Sequence, residues 1–428
     1  MKLVLKNFRI VDEARDIRGA VLVEDGLIRE IIKDGADFPG TVPGDTRLSS
    51  AVLGADLVMD GQGRVLMPAF VELHAHFRDP GFPEKETLES ASLAAVAGGY
   101  GTLVCMANTR PVIDNPEAAA ALKARSDALG LIDLYPALAL TRAMEGRELS
   151  GITAIDTAAY RPRLLSEDGK DVACEALFLA AMEEARRLGI PVSCHCDFGG
   201  EERSAVYRAL RLGEQAGCRI HIAHISTAES AALVRAAKQG AKQSAKQSAQ
   251  TPGGKAAGTL TCEATPHHLA LTAAGARYLG AGGGVNPPLG SEADRRALVE
   301  ALLDGTVDAI ATDHAPHTAA DKAAGAPGFV GLETAFGVCY TELVAPGRIG
   351  LCRLSALMSA NPARILGLGD RGRIEPGLRA DLVMADPGAA WTVDSSRFRS
   401  RGQNTPFQGR TLCGKILATL HGGRVVYV

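Results

Sequence analysis

An alternation constrains this chain more than any other feature of its sequence. Between residues 67 and 367, eight apolar runs suited to buried strands recur: MPAFVELHAHF, GTLVCMA, LIDLYPALAL, YRPRLLS, PVSCHC, RIHIAHI, TLTCEATP and VDAIATDHAP. Helical patterns such as ETLESASLAAVAGG, PEAAAALKARSDALG, DVACEALFLAAMEEARRLG and TAESAALVRAAKQG lie between them, several closed by a Gly where a left-handed cap is expected. Strand–helix alternation over about 300 residues predicts an α/β protein with a (β/α)8 barrel of the TIM type. A doubly wound open sheet shares the alternation, and strand counting alone does not separate the two. YRPRLLS is the poorest strand of the eight.

The two ends have another texture. Residues 1–66 carry KLVLKNFRIV, AVLVEDGLIREII and ADLVMDGQGRVLMP, and residues 368–428 carry GRIEPGLRADLVMAD and KILATLHGGRVVYV. Short β-rich runs, each closed by Gly, Asp or Pro, read as antiparallel strands. The expected organisation is therefore a small β-sandwich-like domain, 1–66 plus 368–428, beside a barrel domain at 67–367. One stretch within the barrel, 238–258, repeats AKQS and reads as a low-complexity, solvated or disordered insertion, to which no function is assigned.

Composition narrows the function. With 428 residues, 46% hydrophobic and 22% charged, a large core is available. A formal charge of -3 offers no electrostatic footprint for nucleic acid or an anionic membrane. Lys6, Arg9 and Asp12 interrupt the N-terminus before a signal peptide could form. The longest uncharged run, 90–109, is broken by Gly98, Gly99 and Gly101 and reads as a helix end plus a buried strand rather than a membrane span. Nine cysteines without a framework of spacings point to reduced thiols. A cytoplasmic enzyme with a small-molecule substrate is the expectation.

Chemistry-bearing residues collect at the carboxyl ends of the strands, the barrel face where active sites assemble. His74 and His76 are two apart, so on a strand both imidazoles reach one side. Alone, H-x-H is equally a pair of polar residues at a strand end. His195 ends PVSCHC, His224 ends RIHIAHI, Asp168 closes the fourth run, and Asp313 precedes His314 in the eighth. Four imidazoles and two carboxylates suit zinc, and six ligands exceed the needs of one tetrahedral ion, so two ions with a shared hydroxide are expected. Asp313, beside them, is placed to take a proton from a nucleophilic water and return it to a leaving nitrogen. Arg78 shares the strand parity of His76 and offers a bidentate contact to a substrate carboxylate, unless it pairs with Asp79. Asn108 and Asn286 are candidates for hydrogen bonds to the same substrate, or simple turn formers. For His221 a structural or supporting role is favoured over ligation, and His267 and His268 either orient the site or cap a helix. Cys194 and Cys196 lie on the strand face opposite His195 and read as packing thiols.

These blocks resemble the dihydroorotases of the amidohydrolase superfamily, in particular the bacterial class I type. The resemblance rests on HAHFRDPG (74–81), GGYGTLVCMANTRP (98–111), SEDG (166–169), AHISTAES (223–230), EATPHHL (263–269), NPPL (286–289), IATDHAPHT (310–318) and GFVGLETAF (328–336). It implies His74 and His76 on one zinc, His195 and His224 on a second, Asp168 bridging them, and Asp313 as both ligand and general acid/base. It implies Arg78, Asn108, Asn286, His317 and the backbone at Gly328 as substrate contacts. The implied reaction is the reversible cyclisation of N-carbamoyl-L-aspartate to L-dihydroorotate in pyrimidine biosynthesis, with the bridging hydroxide as nucleophile in the hydrolytic direction. A hydantoinase or allantoinase would use the same barrel, but those relatives lack an arginine two residues after H-x-H and carry a bridging lysine on the fourth strand. A scaffold for aspartate transcarbamoylase would have lost ligands, and here all six positions are filled. A homodimer is expected by base rates, with association to the transcarbamoylase a further option. The Gly- and Ala-rich stretch 314–330 is expected to act as a mobile lid.

Overall fold

The computed structural model of the protein describes residues 1–34, 51–197, 199–248 and 259–428. Eight parallel strands occupy the middle of the chain. Phe70–Ala75, Tyr100–Cys105 and Asp133–Pro136 form one arc. Leu165–Ser166, Val192–Cys194, Ile220–Ile222, Leu260–Ala264 and Ala309–Ile310 form the other. Parallel bridges between Leu138 and Leu165 and between Ala75 and His314 join the arcs at both seams. There the Ser166 N–H donates to the Leu138 carbonyl at 3.0 Å and the His76 N–H to the His314 carbonyl at 2.8 Å. The strands thus make a ring, and each of the eight apolar runs contains one of them.

Every residue of Phe70–Ala75 and Tyr100–Cys105 is buried, as expected where helices cover the outer face and side chains fill the barrel. The covering helices follow the sequence signals. Asn115 caps Pro116–Leu129 by accepting the Ala118 N–H at 2.9 Å. Gly130, Gly189 and Gly217 end their helices in the left-handed conformation. Glu175–Leu188 turns Phe178, Ala181, Met182, Ala185 and Leu188 inward at helical spacing.

The two ends of the chain pair with each other. Hydrogen bonding links Arg424–Tyr427, Thr411–His421, Leu382–Thr392, Val65–Pro68, Lys2–Val11, Asp16–Glu24 and Leu27–Lys33 into one sheet, with Leu57–Asp60 also beside Lys2–Val11. Its N- and C-terminal halves meet where Val65–Pro68 runs antiparallel to Leu382–Thr392. Within Lys2–Val11 a register shift between Leu5 and Phe8 changes which parity faces inward. Leu3 and Leu5 before it, and Phe8 and Ile10 after it, therefore share one core with Val21, Val23, Leu382 and Leu420.

The terminal sheet docks on the barrel face opposite the strand ends that carry the histidines. Arg371 donates to Asp133 at 2.5 Å and to Thr102 at 2.7 Å, both near the start of their strands. Arg379 pairs with Asp381 at 2.9 Å and with Asp133 at 3.2 Å. His421 stands at the same junction, 3.4 Å from Asp381.

One expectation changes here. The first half of the 238–258 insertion is not disordered, because the helix Ala228–Ser248 runs through it. Ala, Lys and Gln are good helix formers, so the repeat extends a helix already nucleated upstream. Residues 249–258 lie outside the described residues. Among the described residues, no helix is long and apolar enough to cross a membrane.

Candidate active site

The barrel delivers six side chains to one point. His74 lies in the first strand and His76 just beyond it, while Asp168, His195, His224 and Asp313 follow the carboxyl ends of the fourth, fifth, sixth and eighth strands. All six are buried. Three residues here hold left-handed backbone conformations unusual for non-glycine residues: Arg78 (φ 56°), His224 (φ 29°) and Asp313 (φ 48°). Strain of this kind, of order 1–3 kcal/mol each, collects where a side chain must be aimed against local preference.

Asp168 stands at the centre. Its Oδ1 is 3.0 Å from His74 Nε2, 3.2 Å from His195 Nδ1 and 3.9 Å from His224 Nε2. Its Oδ2 is 3.4 Å from His76 Nε2. Asp313 Oδ1 lies 3.1 Å from His76 Nε2 and 3.6 Å from His74 Nε2. His195 Nδ1 and His224 Nε2 are 3.0 Å apart. Two groups of metal-capable atoms result, His74–His76–Asp313 and His74–Asp168–His224, and His74 belongs to both. His74 Nε2 and Asp168 Oδ1 are buried 3.0 Å apart, and neither has a hydrogen-bond partner among the described residues. Lone pairs converging in this way fit divalent metal.

The electrostatics are mixed: burial favours neutral imidazoles, but Asp168 outweighs it at His74 and His195 and raises both toward the charged form. Burial opposes ionisation of Asp168, but the His74 and His76 charges outweigh it and hold the carboxyl well below its usual range. Burial opposes ionisation of Asp313 as well, yet the His76 hydrogen bond and the nearby imidazoles keep it low. For His224, burial pulls the imidazole toward neutral, the form a metal ligand must take. A further group of metal-capable residues, Asp133, Asp381 and His421, lies at the junction with the terminal sheet. Arg371 and Arg379 already balance its charge, so it is an ion-pair network holding the two parts together.

The expected substrate residues surround the cluster. Arg78 is half-buried and does not pair with Asp79, which is held instead by Arg125 at 2.7 and 2.8 Å. Its guanidinium donates to the Pro316 carbonyl at 3.2 Å and to His317 Nε2 at 3.1 Å. Among the described residues it has no carboxylate within ion-pair distance. His317 Nε2 accepts from Arg78, so its buried Nδ1 carries the proton and has no hydrogen-bond partner. Burial and the Arg78 charge push this imidazole down to about 3. Asn286 reaches His195 Nε2 at 3.3 Å and Asp197 at 2.7 Å. Asn108 sits deeper: its Oδ1 faces His76 Nδ1 at 3.0 Å and its Nδ2 donates to Asp168 at 3.2 Å. Its amide is therefore spent on the cluster itself. Gly328 gives its N–H to the Gly284 carbonyl and its own carbonyl to Lys322 and Asn404. What it leaves the site is room, since a Cβ there would come within 2.7 Å of Ala315 Cβ.

Two supports were not visible in the sequence. The stretch 314–330 is no unanchored lid: Thr318 caps a short helix, Ala319–Ala323, and Lys322 Nζ donates to the carbonyls of Gly284, Ala326 and Gly328 at 2.9, 2.7 and 2.9 Å. Asn404, from the C-terminal segment, accepts the His317 N–H and donates to the Ala315 and Gly328 carbonyls. His268 donates to the Pro287 carbonyl at 3.1 Å and accepts from Thr265 Oγ1, so it steadies the Asn286 loop. Removing the lysine clamp in Lys322→Met is expected to destabilise the protein by about 2 kcal/mol, the scale of a charged hydrogen bond, and to raise KM more than it lowers kcat. Chemical denaturation and steady-state kinetics check this, and unchanged stability would contradict the clamp.

Comparison with known proteins fits this geometry. The Amidohydrolase family profile matches residues 65–426, and the chain belongs to that family. Among curated relatives, a dihydroorotase of Clostridium botulinum is 36% identical over 439 residues, covering 100% of both chains. A dihydroorotase of Pelotomaculum thermopropionicum is 37% identical over 456 residues, covering 100% of this chain and 98% of its own. Among solved structures, the L-hydantoinase (dihydropyrimidinase) of Arthrobacter aurescens superposes with a TM-score of 0.83 over 99% of this chain and 96% of that one. At 23% identity it speaks to the fold alone.

Proposed function

We infer that the protein is a dihydroorotase, a metal-dependent cyclic-amide hydrolase interconverting L-dihydroorotate and N-carbamoyl-L-aspartate. The observation that carries the substrate is Arg78. A half-buried guanidinium with no carboxylate within ion-pair distance among the described residues is left short of a partner, and a substrate carboxylate placed against it supplies one.

The donor set suits zinc: His74, His76 and Asp313 would hold one ion, and His195, His224 and Asp168 would supply donors for a second. Metal bound there would lower the pKa of a water and polarise a carbonyl. Asp313 is ionised in the free site, so its Oδ1 is ready to accept a proton from the attacking water. In ring opening it then delivers that proton to the amide nitrogen as the C–N bond breaks; ring closure runs the same transfers backwards. Arg78 holds the substrate carboxylate, and His317, whose Nε2 is 3.1 Å from the Arg78 guanidinium, stands beside it. We propose the division into 1–66 plus 368–428 and 67–367, a homodimeric state and a cytoplasmic location on the same reading.

Dihydrouracil has the same ring without the carboxylate, so it isolates the Arg78 contact. Turnover of L-dihydroorotate is expected to exceed that of dihydrouracil by about 100-fold or more in kcat/KM, the scale of one desolvated charge pair. Equal turnover of the two would remove the carboxylate from recognition and favour a hydantoinase-like reading.

A further inference from the structure

Beneath the metal-facing imidazoles, the barrel interior holds an unbroken polar chain where apolar packing would suffice. Glu263, on the seventh strand, is completely buried. Its Oε1 lies 3.3 Å from His74 Nδ1, and its Oε2 lies 2.9 Å from His221 Nε2. His221 Nδ1 in turn is 2.8 Å from Thr261 Oγ1. Strand register explains the chain: His221 and Thr261 are direct partners on neighbouring strands, and Glu263 follows Thr261 by two residues on the same face. Barrel interiors are ordinarily filled by Val, Ile and Leu, and a buried carboxylate held by two imidazoles is expensive to desolvate.

The chain fixes a tautomer. An ionised carboxylate only accepts, so both imidazoles must donate to Glu263. His74 then carries its proton on Nδ1, and its Nε2 lone pair is left facing Asp168 and Asp313. His221 donates from Nε2, and its Nδ1 accepts from the Thr261 hydroxyl. Glu72 adds the backbone half of the arrangement. It accepts the His74 N–H at 2.8 Å and the Thr312 N–H at 3.0 Å, which ties the first strand to the residue before Asp313. His74 belongs to both candidate metal groups, so whatever orients it acts on both.

We propose that Glu263, braced by His221 and Thr261, is a positioning residue that locks His74 in its Nε2-ligating tautomer and thereby sets the affinity and geometry of the metal centre. The inference rests on the metal-dependent reading above. Outer partners of ligating histidines act in this way in metalloproteins, and their loss typically weakens metal binding by roughly 10- to 100-fold.

The test measures zinc affinity by chelator competition and the visible absorption spectrum of the cobalt(II)-substituted protein, alongside thermal melting. Glu263→Ala is expected to weaken zinc binding by roughly 10- to 100-fold and to alter the cobalt spectrum. Glu263→Gln keeps an acceptor for the His74 Nδ1–H and is expected to restore most of the affinity. If Glu263→Ala does not fold, His221→Leu replaces it: that variant leaves Glu263 in place without its brace and is expected to shift both readouts in the same direction. A folded Glu263→Ala or His221→Leu variant with wild-type zinc affinity and cobalt spectrum overturns the positioning role. Wild-type protein that takes up neither metal overturns the metal reading itself, a result separate from any difference between variants.

Discussion

Asp313→Asn is expected to retain its metal and lose turnover by roughly 100- to 10,000-fold, the range of positioned acid–base catalysis. The substitution is nearly isosteric, and Asn tolerates the left-handed backbone that Asp313 adopts at φ 48°, so the fold and the placement of Oδ1 beside His76 are retained. An amide oxygen can still face a cation, but it cannot take a proton from water or carry one to the ring nitrogen. The loss should therefore fall on kcat, with KM and metal per chain little changed. Assays of both, on one sample of the variant, make the check. Near-normal kcat would remove Asp313 from proton transfer.

Arg78→Met should do the opposite. Truncating one partner of a buried, hydrogen-bonded charge pair costs about 2–5 kcal/mol, so KM for L-dihydroorotate is expected to rise by roughly 30-fold or more. Metal content should hold, because Arg78 contacts Pro316 and His317 rather than the six clustered residues. Stability separates this from a folding defect. Among the described residues the half-buried Arg78 charge has no carboxylate within ion-pair distance, so removing it should leave the melting temperature unchanged or raised. Arg78→Lys should rescue little, since an ammonium cannot reproduce a planar bidentate contact. An unchanged KM would take Arg78 out of the site.

Much of this arrangement was legible in the sequence, for identifiable reasons. Strand ends in a barrel are set by the alternation of runs, so His74, His76, Asp168, His195, His224 and Asp313 fall on one face once the strands are counted. Even the fourth run, which keeps only Leu165–Ser166 as strand, carries Asp168 to its place. The matching texture of the two ends likewise anticipated their shared sheet. What stayed hidden depends on long-range closure. Parity alone turns His221 inward, but nothing local names Glu263 as its partner 42 residues later. Lys322 looks like a solvated lysine in an Ala- and Gly-rich stretch until the Gly284 and Gly328 carbonyls fold over it. Asn404 reaches Gly328 across 76 residues of chain. The first part of the 238–258 insertion is helical rather than disordered because Ala, Lys and Gln extend the helix that precedes it.

The most direct measurement is turnover of L-dihydroorotate to N-carbamoyl-L-aspartate by the purified protein, with metal per chain determined on the same sample. Turnover accompanied by about two zinc ions per chain is the expected result. Fully metallated protein that leaves L-dihydroorotate untouched would contradict the assignment.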